Sequence, residues 1–153
     1  MSMRYSALVL VASSSLLVPG RIVSAANADE LPLHVTVATE EEEAPLIAKL
    51  VQEVAKHPGL SPKDADRLFD PLRQEIDRQR DAGKAAELYP RSLLHIISTG
   101  LAHHYEVDQI GVILAKGHKA MGRGKSASSV EEIIVRGFMK RLQPTDIYDQ
   151  LKP

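Results

Sequence analysis

Hydrophobic residues recur at intervals of three and four along most of the chain, which predicts amphipathic helices. Ile47, Leu50, Val51 and Val54 fall at positions i, i+3, i+4 and i+7 and define the first apolar face. Later faces are formed by Ala65, Leu68, Phe69, Leu72 and Ile76, by Leu93, Leu94, Ile97 and Leu101, by Ile110, Ile113, Leu114, Gly117 and Met121, by Val130, Ile133, Ile134, Gly137 and Phe138, and by Ile147, Tyr148 and Leu151. No segment after residue 40 alternates convincingly with a period of two. The pattern predicts an all-α fold of six or seven short helices, as a compact helical-hairpin stack or an orthogonal bundle.

The clearest helix start lies at Ser61. This serine suits an N-cap, Pro62 suits the first helical position, and Asp64 stands three residues after the cap. A proline interrupts the apolar face that follows, at Pro71. Because proline removes a backbone hydrogen bond and crowds the preceding turn, we expect a kink there, or a restart with Asp70 as the cap.

The region before residue 44 has a different pattern. Residues 29–43 are predicted to form an extended lead-in, within which residues 33–37 alternate like a strand that has no partner. The glutamate run at 40–43 is typical of the first turn of a helix, where acidic side chains favour the positive end of the dipole. We therefore predict a single helical domain over residues 44–153.

The first 28 residues resemble a secretory signal peptide. A basic start at Met1–Arg4 precedes an apolar stretch at Ala7–Val18, and Ala26–Ala28 has the small-x-small pattern of a cleavage site. The apolar stretch is shorter than the ~20 residues that span a bilayer as a helix, so we expect no stable transmembrane anchor. The predicted location is the periplasm or the extracellular space.

Composition narrows the chemistry. The chain has no cysteine, which excludes disulfides, thiol nucleophiles and iron–sulfur sites. An exported domain without disulfides is more typical of a bacterial envelope protein than of a small secreted module, which is usually rich in disulfides. It also has no tryptophan and only two phenylalanines, which argues against stacking-based binding, so we expect no nucleic-acid partner.

Charge is unevenly distributed along the chain. Residues 29–82 carry seven Lys or Arg and 13 Asp or Glu, a net charge of −6. Residues 116–141 carry seven Lys or Arg and two Glu, a net charge of +5. The domain is therefore predicted to have an acidic end and a basic end.

A candidate internal repeat has a period of about 41 residues. Aligning Leu60 with Leu142 also superposes a proline two residues later and an aspartate four residues later. A third copy surrounds Leu101, and duplication predicts that all three leucines are buried at equivalent joints. The alternative is that any helix–turn–helix joint needs an apolar residue, a cap and an acid. The segment GLAHHYEVDQIGVIL at 100–114 resembles the joints of uncharacterised exported bacterial helical-repeat proteins, a resemblance that implies a helical fold and no particular chemistry.

The basic stretch supplies the candidate anion-binding residues, which are Lys116, His118, Lys119, Arg123 and Lys125. Residues 122–128 are predicted to form a loop, followed by a capping box of Ser129 and Glu132. The sequence Gly-Arg-Gly-Lys-Ser from Gly122 resembles the end of a phosphate-binding loop, but the pattern's first glycine is replaced by Lys119. A weaker hypothesis is that backbone amides and basic side chains hold an anion. The alternative is a solvated basic loop.

Histidines are the remaining candidates for chemistry. His103 and His104 are adjacent, so their side chains diverge by about 100° on a helix. One of them could meet Asp108 or His118 to hold a metal. Nothing else in the sequence nominates a catalytic residue, and no cofactor or metal ligand is assigned.

Three functions follow, in this order. The leading hypothesis is an exported, non-enzymatic protein-interaction or scaffold domain of a bacterial envelope, with a protein or peptide partner. The second is an anion or polyanion module that binds a phosphate-bearing lipid or polymer through residues 116–125. The third is a metal-dependent enzyme that uses His103 and His104.

Overall fold

The computed structural model describes residues 31–153, so the predicted signal peptide lies outside the described residues. Residues 33–153 form one compact unit whose regular structure is helical apart from two three-residue strands, which confirms the all-α prediction. Its elements are β1 (Val35–Val37), α1 (Glu40–Val54), α2 (Pro62–Leu68), α3 (Asp70–Asp81), β2 (Ala86–Leu88), α4 (Pro90–Ala102), α5 (Val107–Gly122), α6 (Ala127–Met139) and α7 (Pro144–Leu151). None of these helices is both long enough and apolar enough to cross a membrane.

The predicted extended lead-in is only partly right. β1 lies where a strand was expected, but it is not alone, because it pairs antiparallel with β2. Three residues of β2 are too few to display an alternating pattern in the sequence, and their partner lies some 50 positions away, so the pairing was missed. The first helix begins at Glu40, where Thr39 and Glu42 form a capping box, so the glutamate run is its first turn as predicted and the extended lead-in ends before residue 40.

The expected break at Pro71 is present. Ser61 caps α2 as predicted, its hydroxyl accepting a hydrogen bond from the Asp64 amide at 3.0 Å. The chain then restarts as α3 with Pro71 in its first turn, where a missing amide hydrogen costs nothing. The cap position is held by the fully buried Phe69 and not by Asp70, so packing in the core and not a side-chain cap fixes the break.

Helix α5 is the centre of the domain. It packs against α2, α3, α4, α6 and α7, and its Ile110, Ile113 and Leu114 are buried. The contact with α2 is especially close, since a Cβ added at Gly111 would lie 2.6 Å from the Leu68 carbonyl oxygen. Glycine at position 111 lets the backbones of α5 and α2 come into contact, and this contact fixes the position of α5 against α2.

Three successive corners, at α4–α5, α5–α6 and α6–α7, share one geometry. Each has a left-handed residue just after its helix, namely His104 (φ 65°), Gly124 (φ 105°) and Arg141 (φ 55°). The next residue donates its amide to the carbonyl five positions earlier, from Tyr105 to Gly100 at 3.0 Å, from Lys125 to Ala120 at 3.1 Å and from Leu142 to Gly137 at 3.0 Å. This is the Schellman motif, which satisfies carbonyls at the end of a helix.

The shared corner geometry accounts for much of the sequence similarity between the helix–helix joints. The 41-residue repeat is not confirmed. Leu60, Leu101 and Leu142 are all half-buried, so none is exposed and none is fully enclosed. The corner geometry makes Tyr105, and not Leu101, the equivalent of Leu142. The aligned leucines therefore do not occupy one structural position.

Candidate functional sites

Helix α5 places three of the predicted cations on one face. Lys116, Lys119 and Arg123 follow at i, i+3 and i+7, and side chains at these spacings lie on the same side of a helix. Lys125 follows in the α5–α6 corner. Lys116 and Arg123 are exposed, whereas Lys119 and Lys125 are partly covered. We call these four residues the basic face.

The basic face is distinguished by the grouping of its cations on one side of α5, because Lys49, Lys63 and Lys84 elsewhere in the described residues also make no ion pair. Within residues 31–153, no ion pair joins any of its four cations to a carboxylate. The two acidic residues of the 116–141 segment are engaged elsewhere, since Glu131 binds His95 and Glu132 pairs with Arg136 on its own helix. Lys116 makes a cation–π interaction, since its Nζ lies 5.3 Å from the centre of the Tyr148 ring on α7.

His118 does not belong to the basic face, so its assignment as a surface anion ligand is wrong. It lies two positions after Lys116, which turns it by about 200° to the other side of α5. Only 3% of its surface is exposed. The sequence did contain a signal for this, because His118 follows the buried Leu114 by four residues and so shares its apolar face.

The α5–α6 corner does not form an amide cradle for a phosphate. The amides of Arg123, Gly124 and Lys125 all donate to carbonyls at the end of α5, so they are not free for a ligand. Ser126 is the N-cap of α6, and its hydroxyl accepts from the Ser129 amide at 3.2 Å. The predicted capping box at Ser129 is therefore wrong. An anion at this corner would therefore be bound without the amides of Arg123, Gly124 and Lys125.

The residues of the metal hypothesis are not brought together. Asp108 forms an ion pair with Arg67 of α2, its Oδ1 lying 3.3 Å from Nε. His104 is exposed at its corner, and His118 is buried. Within the described part of the chain, no group of three or more His, Asp and Glu side chains is placed to hold a metal ion.

A carboxylate that the sequence analysis did not single out links α4 to α6. Glu131 accepts hydrogen bonds from the Ser92 hydroxyl at 2.7 Å and from His95 Nδ1 at 2.6 Å. Partial burial acts to raise the pKa of Glu131, but the hydrogen bonds from His95 and Ser92 outweigh it and lower that pKa. Beside this link runs a groove of about 670 Å³, lined in part by Val135 and by Met139, which is 61% exposed.

A second pocket, smaller and largely apolar, lies between α4, α5 and α6. Aliphatic side chains form most of its walls, and it is lined by Leu88, Tyr89, Ser92, Leu93, Ile96, Leu114, Gly117, His118, Met121, Ala127, Val130 and Ile134. Neither ring nitrogen of His118 has a hydrogen-bond partner within the described residues. Burial lowers the pKa of His118, against the opposing effect of Glu75 and Glu87, so the ring is neutral at neutral pH.

Comparison with known proteins found no match for this chain among family models, curated proteins or solved structures. The resemblance of residues 100–114 to exported helical-repeat proteins therefore stays a prediction. Function has to be argued from the basic face, the α4–α6 groove and the small pocket.

Proposed function

We propose that this protein is an exported binding domain that holds a phosphate-bearing polyanion on its basic face. The observation that carries the proposal is the set of four accessible cations that share one side of α5 and its corner without an ion-pair partner within residues 31–153. Export rests on the leader-like first 28 residues.

The proposed binding mode is electrostatic and spread over several side chains. A single phosphate is usually held by convergent backbone amides, and the amides of Arg123, Gly124 and Lys125 are already used within the corner. A row of cations along a helix instead matches a ligand that carries many negative charges, such as a polymer or a lipid surface. Such binding weakens steeply as salt is added, because exposed charges are screened.

The test is binding of the full chain to a soluble polyphosphate and, separately, to vesicles with and without anionic phospholipid. The variant Lys119→Gln/Arg123→Gln/Lys125→Gln removes three charges from the basic face. The matched control, Lys49→Gln/Lys63→Gln/Lys84→Gln, removes three charges elsewhere. We expect the first variant to bind at least about tenfold more weakly and the control to bind like the wild type.

The two ligands separate the two sources of phosphate. Binding to polyphosphate alone would identify a polymer, and binding to anionic vesicles alone would identify a membrane surface. Equal loss in both triple variants would mean that net charge, and not the basic face, determines binding. Binding that is unchanged between about 50 mM and about 500 mM salt would contradict the electrostatic mode.

A protein partner is the second candidate function, and the α4–α6 groove favours it. Met139 is 61% exposed at the edge of this groove, which is unusual for a large apolar side chain and typical of contact surfaces. A protein captured from the host envelope by the full chain, kept at high salt and lost in Met139→Glu, would support this function over polyanion binding.

A further inference from the structure

The small pocket between α4, α5 and α6 contains a buried polar side chain, His118, that the described part of the chain does not pair. Only 3% of the His118 surface is exposed, and neither ring nitrogen has a hydrogen-bond partner within residues 31–153. A buried polar group without a hydrogen bond destabilises the folded state, so native proteins rarely keep one without a reason. An apolar residue would fill this position of α5 at lower cost.

The shape of the pocket indicates how a ligand would enter. Its inner walls are the fully buried side chains around His118, whereas Tyr89, Ser92, Met121 and Ala127 are only half-buried and mark the mouth. The enclosed space measures about 20 Å³, which is enough for one group of the size of a water molecule. Only the end of a ligand would therefore reach His118, with the rest lying between the side chains at the mouth.

The charges around the pocket select against ions. A neutral imidazole has one donor and one acceptor nitrogen, so it can pair with a hydroxyl, a carbonyl or an amide. It offers no positive charge to an anion, and the residues that line the pocket include no lysine or arginine. Water alone is a poor occupant, because it needs two to four polar partners and the inner walls are aliphatic.

We propose that this pocket binds the polar end of a small uncharged molecule, with His118 as its hydrogen-bond partner and the side chains at the mouth in contact with its apolar part. The site is separate from the basic face, since His118 lies on the opposite side of α5. The ligand class is a short alcohol, amide or similar neutral compound.

The experiment uses the full chain labelled on histidine rings and on isoleucine and leucine methyl groups, titrated with propionamide and, separately, with propionate. These probes have nearly the same size and differ in charge. We expect propionamide to shift the His118 ring and the Ile96 and Leu114 methyl signals saturably, with a dissociation constant on the order of 10 mM. Propionate is expected to bind at least about fivefold more weakly, as the site carries no cation.

Two variants of His118 test whether the observed binding depends on its imidazole ring. His118→Leu should abolish the methyl shifts, and His118→Gln should retain part of them because an amide still offers a donor and an acceptor. His57→Gln, at the end of α1, is the matched histidine control and should behave like the wild type. The proposal is overturned if propionamide gives no saturable shift below about 100 mM, if propionate binds as well, or if His118→Leu binds unchanged.

Discussion

The arginines of α2 and α3 and the four cations of the basic face differ in whether they pair with carboxylates. In α2 and α3 every arginine is paired, Arg67 with Asp64 and Asp108, Arg73 with Asp66 and Asp70, Arg78 with Glu75, and Arg80 with Glu43 and Asp77. On the basic face, none of the four cations has a carboxylate partner within residues 31–153. The net charge of a segment therefore does not show which of its basic residues have a carboxylate partner.

The difference follows from local spacing. Arg73, Arg78 and Arg80 each have an acidic residue three positions earlier, which places opposite charges side by side on one turn of α3. Lys116 and Lys119 have Val112 to Ala115 before them, so no acid lies within reach on α5. The charges of α3 therefore pair within their own helix, whereas Lys116 and Lys119 have no acidic neighbour on α5.

The largest expected effect comes from breaking the contact between the two regions. Gly111→Ala would force a Cβ to within 2.6 Å of the Leu68 carbonyl oxygen, so α5 and α2 must separate. We expect a loss of about 1–3 kcal/mol in the free energy of unfolding, measured with urea. Gly122→Ala is the control, because its Cβ would meet only the movable end of the Gln79 side chain. Equal stability of the two variants would show that the close approach is not needed.

The next effect concerns the one acid of the basic region that binds across helices. Replacing Glu131 with Ala removes the hydrogen bonds from Ser92 and His95, and we expect a loss of roughly 1 kcal/mol at neutral pH. Because the folded state lowers the pKa of Glu131, its contribution is present above the carboxyl pKa of the unfolded chain and is lost as the pH falls through the folded value. Urea unfolding at a series of pH values should show the two proteins converging in acid. A difference that does not depend on pH would contradict the link.

A smaller effect is expected at the corners that end the helices. Arg141 occupies a left-handed conformation that a side chain disfavours, so Arg141→Gly should stabilise the domain by about 0.5–1 kcal/mol. Gly124 occupies the same position in the corner of the basic face, and Gly124→Ala should destabilise by a similar amount. Thermal melting of both variants would check the signs. If Arg141→Gly destabilised the protein, the side chain itself would have to stabilise its corner.

The smallest effect compares paired and unpaired charges directly. Arg73 bridges two aspartates, so Arg73→Gln should reduce the free energy of unfolding by about 0.5–1 kcal/mol at low salt and by less at high salt. Lys119→Gln should change it by less than about 0.5 kcal/mol. The same urea experiment at two salt concentrations measures both. A larger loss for Lys119→Gln would mean that the basic face has an internal structural role.

Much of the helical structure was predictable, because helices are specified by residues close in sequence. The start at Ser61, the restart near Pro71 and the buried faces that contain Leu72 and Ile110 were all present in the 3.6-residue period and the capping residues. The grouping of Lys116, Lys119 and Arg123 on one side of α5 followed from the same 3.6-residue period. The burial of His118 was available from its spacing to Leu114 but was overlooked in favour of its basic neighbours.

The sequence by itself determined the class of fold, helix starts such as that at Ser61, and the grouping of Lys116, Lys119 and Arg123 on one side of α5, because each depends on neighbours within a few residues. Only the tertiary structure decided that β1 has a partner in β2, that Glu131 reaches His95, and that His118 lies in an apolar pocket with no hydrogen-bond partner among residues 31–153. These outcomes join residues that are tens of positions apart or depend on what packs against a helix face. A period of 3.6 shows which side of a helix is buried, but it does not show what that side meets.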